Sequence, residues 1–277
     1  MSPQPARTSA EAGQDGAGAA PSGTAASGVK SADRLMTLLE YLAEVGPATF
    51  QTITRDLGLP NSSAHQLLLN VTQRGFAEYD KVTRTYRLGV RVWELGQAYN
   101  QAADLPALSQ PLMDALVQTV GETVQLGRLD GTDEVHIAVS ETWHPVKLYS
   151  VVGLRLPAHV TGIGKALLSG LTDDQIRSLY RGMELKRLTD KTITDVEVLI
   201  AVVGKIRRRG QAEDNEEYAV GCRCVARPIR DAEGAVIAAM SVSIPTPRYS
   251  PALGSLIARS LASTVREVEA SLGRLPH

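Results

Sequence analysis

Apolar residues recur at helical spacing in three successive segments near the start of the chain. In "SADRLMTLLEYLAEVG" Leu35, Leu38, Leu39 and Leu42 fall on one face, with Ser31 placed to cap the first turn and Gly46 to end the helix. "ATFQTITRDLGLP" repeats the scheme over a shorter span, with Phe50, Ile53 and Leu57 facing inward before Gly58. In "NSSAHQLLLNVTQRG" the inner stripe is Ala64, Leu67, Leu68 and Val71, Asn61 or Ser62 is the cap, and Gly75 is the stop. The apolar period then switches to that of a strand. "FAEYD" and "TYRLG", joined by "KVTR", predict a hairpin whose Phe76, Tyr79, Tyr86 and Leu88 can pack on the helices. Helix, helix, helix, hairpin is the order of a winged helix-turn-helix.

Helical spacing returns in "VRVWELGQAYNQA", where Val92, Leu95 and Tyr99 share a side and no Gly/Ser linker follows, so residues 90–104 are expected to form a rigid connector helix. A longer helix follows from Leu105 to Val120. "ETVQLGRLD" and "DEVHIAVSE" then alternate like strands of a hairpin turned at Asp130-Gly131. Beyond them "VKLYSVV" reads as a strand. "GKALLSG", "TDDQIRSLY" and "DVEVLIAVVGKIRRRG" read as helices, 222–230 and 235–244 as strands, and 251–272 as a last helix. This irregular alternation predicts an α+β domain, an antiparallel sheet flanked by helices. The expected organisation is a disordered tail over 1–29, a winged helix-turn-helix over 30–89, the connector over 90–104 and a second domain over 105–277.

Composition supports that division and removes several classes of function. The tail is mostly Ala, Gly, Ser, Thr, Pro and Gln, and it lacks the apolar content to offset its ordering entropy. With 277 residues, 43% of them hydrophobic, the rest can bury two modest cores. A net charge of -1 rules out a globally basic protein that would coat nucleic acid or an anionic membrane, so any nucleic-acid contact has to be local. The two cysteines, Cys222 and Cys224, form no disulfide framework. The longest nearly apolar run, "AVIAAMSVSI", is far short of the roughly 20 residues that span a bilayer. The chain is expected to be cytoplasmic and without a membrane partner.

The local nucleic-acid face lies on the third helix and the wing. Ser62, Ser63, His65, Gln66 and Asn70 lie off the apolar stripe and are of the types that read base edges. Lys81, Arg84 and Arg87 in the wing, with Arg55 and Arg74 nearby, are candidates for phosphate contact. Each alone can be an ordinary solvated side chain; their clustering in one small domain points to double-stranded DNA.

Motifs for catalysis are missing. "LPAHVTGIGKALLSGL" resembles a phosphate loop only superficially, because His159 and Ala166 stand where the Walker pattern needs Gly and Ser or Thr. A helix starting at Gly162 to Gly164 can still offer unpaired N–H groups to a carboxylate, or the glycines can serve only a tight turn. On a strand, Cys222 and Cys224 point to the same face. His65, His136, His144, His159 and His277 show no metal spacing, so neither metal nor cofactor is expected.

"GLPNSSAHQLLLNVTQRGFAEYD", followed by "TRTYRLG", resembles the DNA-binding domain of the IclR (isocitrate lyase regulator) family of bacterial transcription factors. "LPAHVTGIGKALL" and "AEDNEEYAVGCRCVARPIRDAEGAVIAAMSVSIP" resemble its effector domain, extending the match over about residues 31–272. The third helix departs from the family's usual Lys-Ser-Thr start and its Arg after the His: this chain has Asn61-Ser62-Ser63 and Gln66 there. The resemblance implies a GAF-like effector domain with a pocket for a small organic acid. Carried over by position, that pocket uses Leu156, Gly162, Ile163, Asp214, Cys224, Ser241 and Ser243. It also implies a homodimer or homotetramer on a palindromic operator, acting as a repressor or an activator. Two alternatives stand beside it: an enzyme acting on a small acid through Cys224, and a sensory module whose helix-turn-helix binds protein.

Overall fold

In a computed structural model of the chain, residues 30–100 and 105–273 are described. They divide at Ala98/Tyr99 into two compact units. The tail expected over 1–29 and the end of the connector, 101–104, lie outside the described residues.

The N-terminal unit runs α1 (Lys30–Val45), β1 (Ala48–Thr49), α2 (Phe50–Asp56), α3 (Asn61–Gln73), β2 (Ala77–Asp80), β3 (Thr85–Leu88) and α4 (Val90–Asn100). Leu38, Leu42, Ile53, Leu68 and Val71 are fully buried at its centre, with Phe50, Phe76 and Tyr86 packed around them. Each such side chain contributes about 1.5–3 kcal/mol by leaving water. Gly75, at φ 78, turns the chain out of α3. It meets Gly89, where a Cβ would lie 2.2 Å from the Gly75 carbonyl oxygen. The strands pair in the order β1-β3-β2, so the wing sheet has a third, two-residue strand that the hairpin pattern did not indicate. Its turn, Lys81 to Arg84, is held by Asp80, whose Oδ1 accepts the Val82 and Thr83 N–H groups at 2.7 and 3.2 Å.

Both expected caps are displaced. α1 already includes Lys30, so Ser31 lies inside its first turn. At α3 the cap is Pro60, with φ −58 and ψ 139 and no side-chain cap bond. The proline ring fixes a suitable entry φ and its carbonyl accepts the Ala64 N–H at 2.9 Å. Asn61 and Ser62 are therefore helical and leave their side chains in solvent. Tyr79 is half exposed, stacking on Tyr86 with ring centroids 4.7 Å apart.

The C-terminal unit comprises α5 (Leu105–Val120), β4 (Thr123–Asp130), β5 (Asp133–Ser140), β6 (Arg155–Pro157), α6 (Gly162–Leu168), α7 (Asp173–Leu179), α8 (Val196–Arg209), β7 (Ala212–Asn215), β8 (Cys222–Arg230), β9 (Val236–Pro245) and α9 (Pro251–Leu272). Six antiparallel strands form one sheet in the order β6-β5-β4-β9-β8-β7. Val124, Leu126, Met240, Val242 and Ile244 turn to one face, where they pack with Leu116, Ile257 and Leu261 of α5 and α9. The alternate residues Gln125, Ser241, Cys222 and Cys224 turn to the other face, which α6 covers.

"VKLYSVV" is not a strand. With Pro145 ahead and Gly153 behind, it forms an irregular loop, and its Val146, Tyr149 and Val152 are exposed. The β5 edge it would have joined is taken by Leu154 and β6. The acidic "AEDN" does form a strand, β7. It has no intrinsic strand preference and is held there by its pairing to β8.

Candidate effector cavity and DNA-facing helix

A cavity of about 220 Å³ opens on the α6 side of the sheet. Its floor is built from cross-strand rows: Gln125 lies opposite Ser241, and Ser243 opposite Cys224, which is itself opposite Asp214. Leu154, Leu156 and Ile163 form apolar walls, and Tyr149 and Tyr218 also line it. Of the residues implied for an effector pocket, Leu156, Ile163, Asp214, Cys224, Ser241 and Ser243 meet here. Gly162 does not line the cavity but abuts it: a Cβ there would lie 2.4 Å from Cys224 Sγ.

The start of α6 has both the tight turn and the unpaired N–H groups considered for its glycines. Gly164 is required by close approach, since a Cβ would sit 2.2 Å from the Ala158 carbonyl oxygen. Thr161 caps the helix, its Oγ1 accepting the Gly164 N–H at 2.9 Å. The N–H groups of Gly162 and Ile163 have no partner among the described residues. Lys165 is no phosphate lysine: it is buried and its ammonium is paired with Glu217.

Gln125 was not foreseen, yet it organises the serine end. Ser241 Oγ and Ser243 Oγ donate to its Oε1 at 2.9 and 3.1 Å, while its Nε2 donates to Ser150 Oγ at 3.0 Å. The two serines therefore do share a face, but their protons are held by this amide. A polar residue flanked by buried Val124 and Leu126 on a strand was the available signal. Glu134 and His136 were also missed. The pairing of β4 with β5 shifts between Leu126 and Gly127, so Ala138 opposes Leu126 whereas His136 opposes Gly127. Ile137 is the extra residue, and the bulge turns Glu134 and His136 from the α5/α9 face into the cavity.

No lysine or arginine lines the cavity among the described residues. Burial pushes the Asp214 carboxyl up to about 6 although its Oδ1 accepts the Glu217 N–H. Burial raises Glu134 as well. The Cys222 thiol is pushed up to about 12 and that of Cys224 also lies well above its ordinary value, in both cases chiefly by burial. Both remain thiols near neutral pH and are poor nucleophiles. Among the described residues no cluster of three His, Cys, Asp or Glu side chains could hold a metal, and no helix is long and apolar enough to cross a membrane.

On the N-terminal unit, Ser62, His65, Gln66 and Asn70 are exposed along α3 and Ser63 is half-buried. Ser62, Ser63 and Gln66 border a groove shared with Ser31 and Arg34 of α1. Lys81 and Arg84 stand at the wing tip, Arg84 in the left-handed region at φ 55. Arg87 is tied by its guanidinium to Glu78, 2.8 Å away directly across the strand pair. Arg55 is similarly engaged with Asp56.

A winged helix-turn-helix with an exposed polar recognition face, joined to an α+β unit enclosing a small-molecule cavity, defines a ligand-responsive DNA-binding regulator. Residues 31–81 match the IclR helix-turn-helix domain and residues 97–270 the bacterial transcriptional regulator IclR C-terminal domain. The chain is 34% identical over 249 residues to the HTH-type transcriptional regulator BhcR of Paracoccus denitrificans, covering 90% of this chain and 88% of that protein. It is 31% identical to the acetate operon repressor of Salmonella typhimurium, covering 88% of this chain and 90% of that protein. A crystal structure of an IclR homolog from Microbacterium hydrocarbonoxydans complexed with 4-hydroxybenzoate superposes with a TM-score of 0.76 at 25% identity, covering 87% of this chain and 99% of that one. The chain belongs to the IclR family. It is a DNA-binding transcriptional regulator with an effector-binding domain, and not an enzyme.

Proposed function

We propose that the cavity holds a small monocarboxylate and that its occupancy alters how paired winged helices engage a palindromic operator. The observation that carries this reading is a set of neutral donors around one cavity: the Ser241 and Ser243 hydroxyls on the floor and the unpartnered amide of Ile163, a residue of its wall, with that of Gly162 adjoining it. Such donors satisfy a carboxylate without a fixed cation. An entering carboxylate competes with Gln125 Oε1 for the two serine protons. The 4-hydroxybenzoate held by the Microbacterium homolog is an acid of this class. Base reading falls to Ser62, Ser63, His65, Gln66 and Asn70, and phosphate contact to Lys81, Arg84 and Arg87. Self-association as a dimer or tetramer is supported by exposed Val90, Trp93 and Leu95 on α4, apolar surface that a second copy can cover.

The test is calorimetry of benzoate and short aliphatic acids on the Ser241→Ala/Ser243→Ala double variant. Two lost donors, at about 0.5–1.5 kcal/mol each and more to a charged acceptor, lower affinity at least severalfold. Gel shifts without acid remain those of the unaltered protein. Undiminished affinity places the acid elsewhere.

A further inference from the structure

The cavity has a second polar end that the serines do not serve. Glu134 and His136 are 1% and 4% exposed and both line it. Glu134 Oε2 and His136 Nδ1 nevertheless have no hydrogen-bond partner. The two side chains face each other, His136 Nε2 lying 3.7 Å from Glu134 Oε1. That separation is longer than a hydrogen bond, and the Thr161 side chain, also on the cavity wall, is a further polar neighbour of Glu134. Desolvating the orphaned atoms without partners opposes folding. An uninterrupted strand would have sent both side chains toward α5 and α9, and the bulge at Ile137 puts them here instead. Residue 127, opposite His136, is a glycine, and a Cβ there would come within 2.8 Å of Ile163 and 3.5 Å of Glu134 Oε2, so a larger residue would crowd this end of the cavity. Strand β4 separates this pair from Ser241 and Ser243. The two polar ends thus stand two interstrand spacings apart, about 9–10 Å between backbones.

We propose that Glu134 and His136 are the specificity-determining end of the cavity and read a hydroxyl on the effector, carried on the side opposite its carboxylate. A hydroxyl can donate to Glu134 Oε2 while accepting from a proton on His136 Nδ1. A keto oxygen can satisfy only a donor, and a methyl group satisfies neither. The ligand class is a hydroxylated monocarboxylic acid with a short apolar body, aromatic or aliphatic, lying against Ile163, Leu154 and Leu156. This assignment rests on the reading of the serines as the carboxylate end.

Calorimetry on the full-length protein with two matched pairs separates the two ideas: benzoate with 4-hydroxybenzoate, and pentanoate with 5-hydroxypentanoate. The unaltered protein is expected to favour the hydroxylated member of at least one pair by about tenfold or more. In Glu134→Gln and in His136→Phe that preference falls toward unity while the plain acid keeps its affinity. In Ser241→Ala/Ser243→Ala both members weaken together and the ratio persists. If all four acids fail to bind, the carboxylate reading falls, and this one with it. If plain and hydroxylated acids bind the unaltered protein equally, or the ratio survives in both single variants, only the role given to Glu134 and His136 falls. Thermal melting of the ligand-free Glu134→Leu variant is an independent check. A residue kept for a ligand leaves the empty protein at least as stable when it is removed. A clear fall in Tm assigns the pair to the fold instead.

Discussion

The two units treat polar side chains in opposite ways. On α3 and the wing, Ser62, His65, Gln66, Lys81 and Arg84 stand in water around a wholly apolar centre of Leu38, Leu42, Ile53, Leu68 and Val71. In the C-terminal unit Gln125, Glu134, His136, Asp214 and Ser241 are buried before any ligand arrives. Groups that meet a hydrated, charged duplex gain nothing from advance desolvation, and their cost to the free protein is small. Groups that must discriminate a small molecule gain from it, because a desolvated partner left unpaired rejects the wrong ligand. On the proposed assignment, binding surface and binding cavity leave different traces: solvated clustering in one unit, orphaned or shifted polar atoms in the other.

Four changes break or sharpen this contrast. The largest effect is expected from Leu68→Ala, which empties the N-terminal core at a cost of about 2–5 kcal/mol. Calorimetric melting should lose the N-terminal transition first, and gel shifts should fail while acid binding persists. A single merged transition in both proteins would show that the units are not separable. Gly164→Ala acts on the other unit, forcing a Cβ against the Ala158 backbone. About 1–3 kcal/mol of C-terminal stability and the acid affinity should go together, leaving operator binding in place.

The third change is pH. Asp214 lies above its ordinary value of 3.8, at about 6. Its folded form binds a proton more tightly than the unfolded chain, so the stability it contributes is present below about pH 4 and is lost as pH rises through about 6. Asp56 and Asp80 of the N-terminal unit are lowered, the first mainly by its bonds to Arg55 and Tyr41, the second by the Val82 and Thr83 amides. What they contribute is present above the ordinary value and lost as pH falls through their lowered values. Melting followed from pH 3 to 7 should show these opposite trends, and Asp214→Asn should flatten the C-terminal one between about pH 4 and 6. A protonated Asp214 also repels an incoming anion less, so acid affinity should be higher at pH 5.5 than at pH 8.

The smallest effect separates two arginines of the wing. Arg84→Ala should reduce the salt dependence of DNA binding by about one unit of slope. Arg87→Ala should do less, since Glu78 already neutralises its guanidinium, and the exposed pair itself contributes only about 0–1 kcal/mol to stability. Glu78→Ala, which frees Arg87, should strengthen DNA binding; unchanged affinity would show that Arg87 does not reach phosphate.

Much of this was open to inspection in the chain itself. The stripes Leu38/Leu42, Ile53 and Leu68/Val71, with stops at Gly46, Gly58 and Gly75, determined three helices, because periodic burial and left-handed glycine turns are local properties. The last helix, 251–272, and the long strands beginning at Cys222 and Val236 followed for the same reason. Motif likeness groups Leu156, Gly162, Ile163, Asp214, Cys224, Ser241 and Ser243, and all but Gly162, which stands beside it, line one cavity. Tertiary structure alone decided the rest. "AEDN" became a strand because β8 offered an edge, and "VKLYSVV" did not because Leu154 and β6 had taken the edge of β5. Gln125 captured the serine protons across a strand pair, a contact between residues 116 positions apart. One unpaired residue, Ile137, reversed the facing of Glu134 and His136. Strand alternation has a period of two, so a single inserted residue inverts every side chain beyond it. Where that insertion falls depends on the partner strand, which the local sequence does not contain.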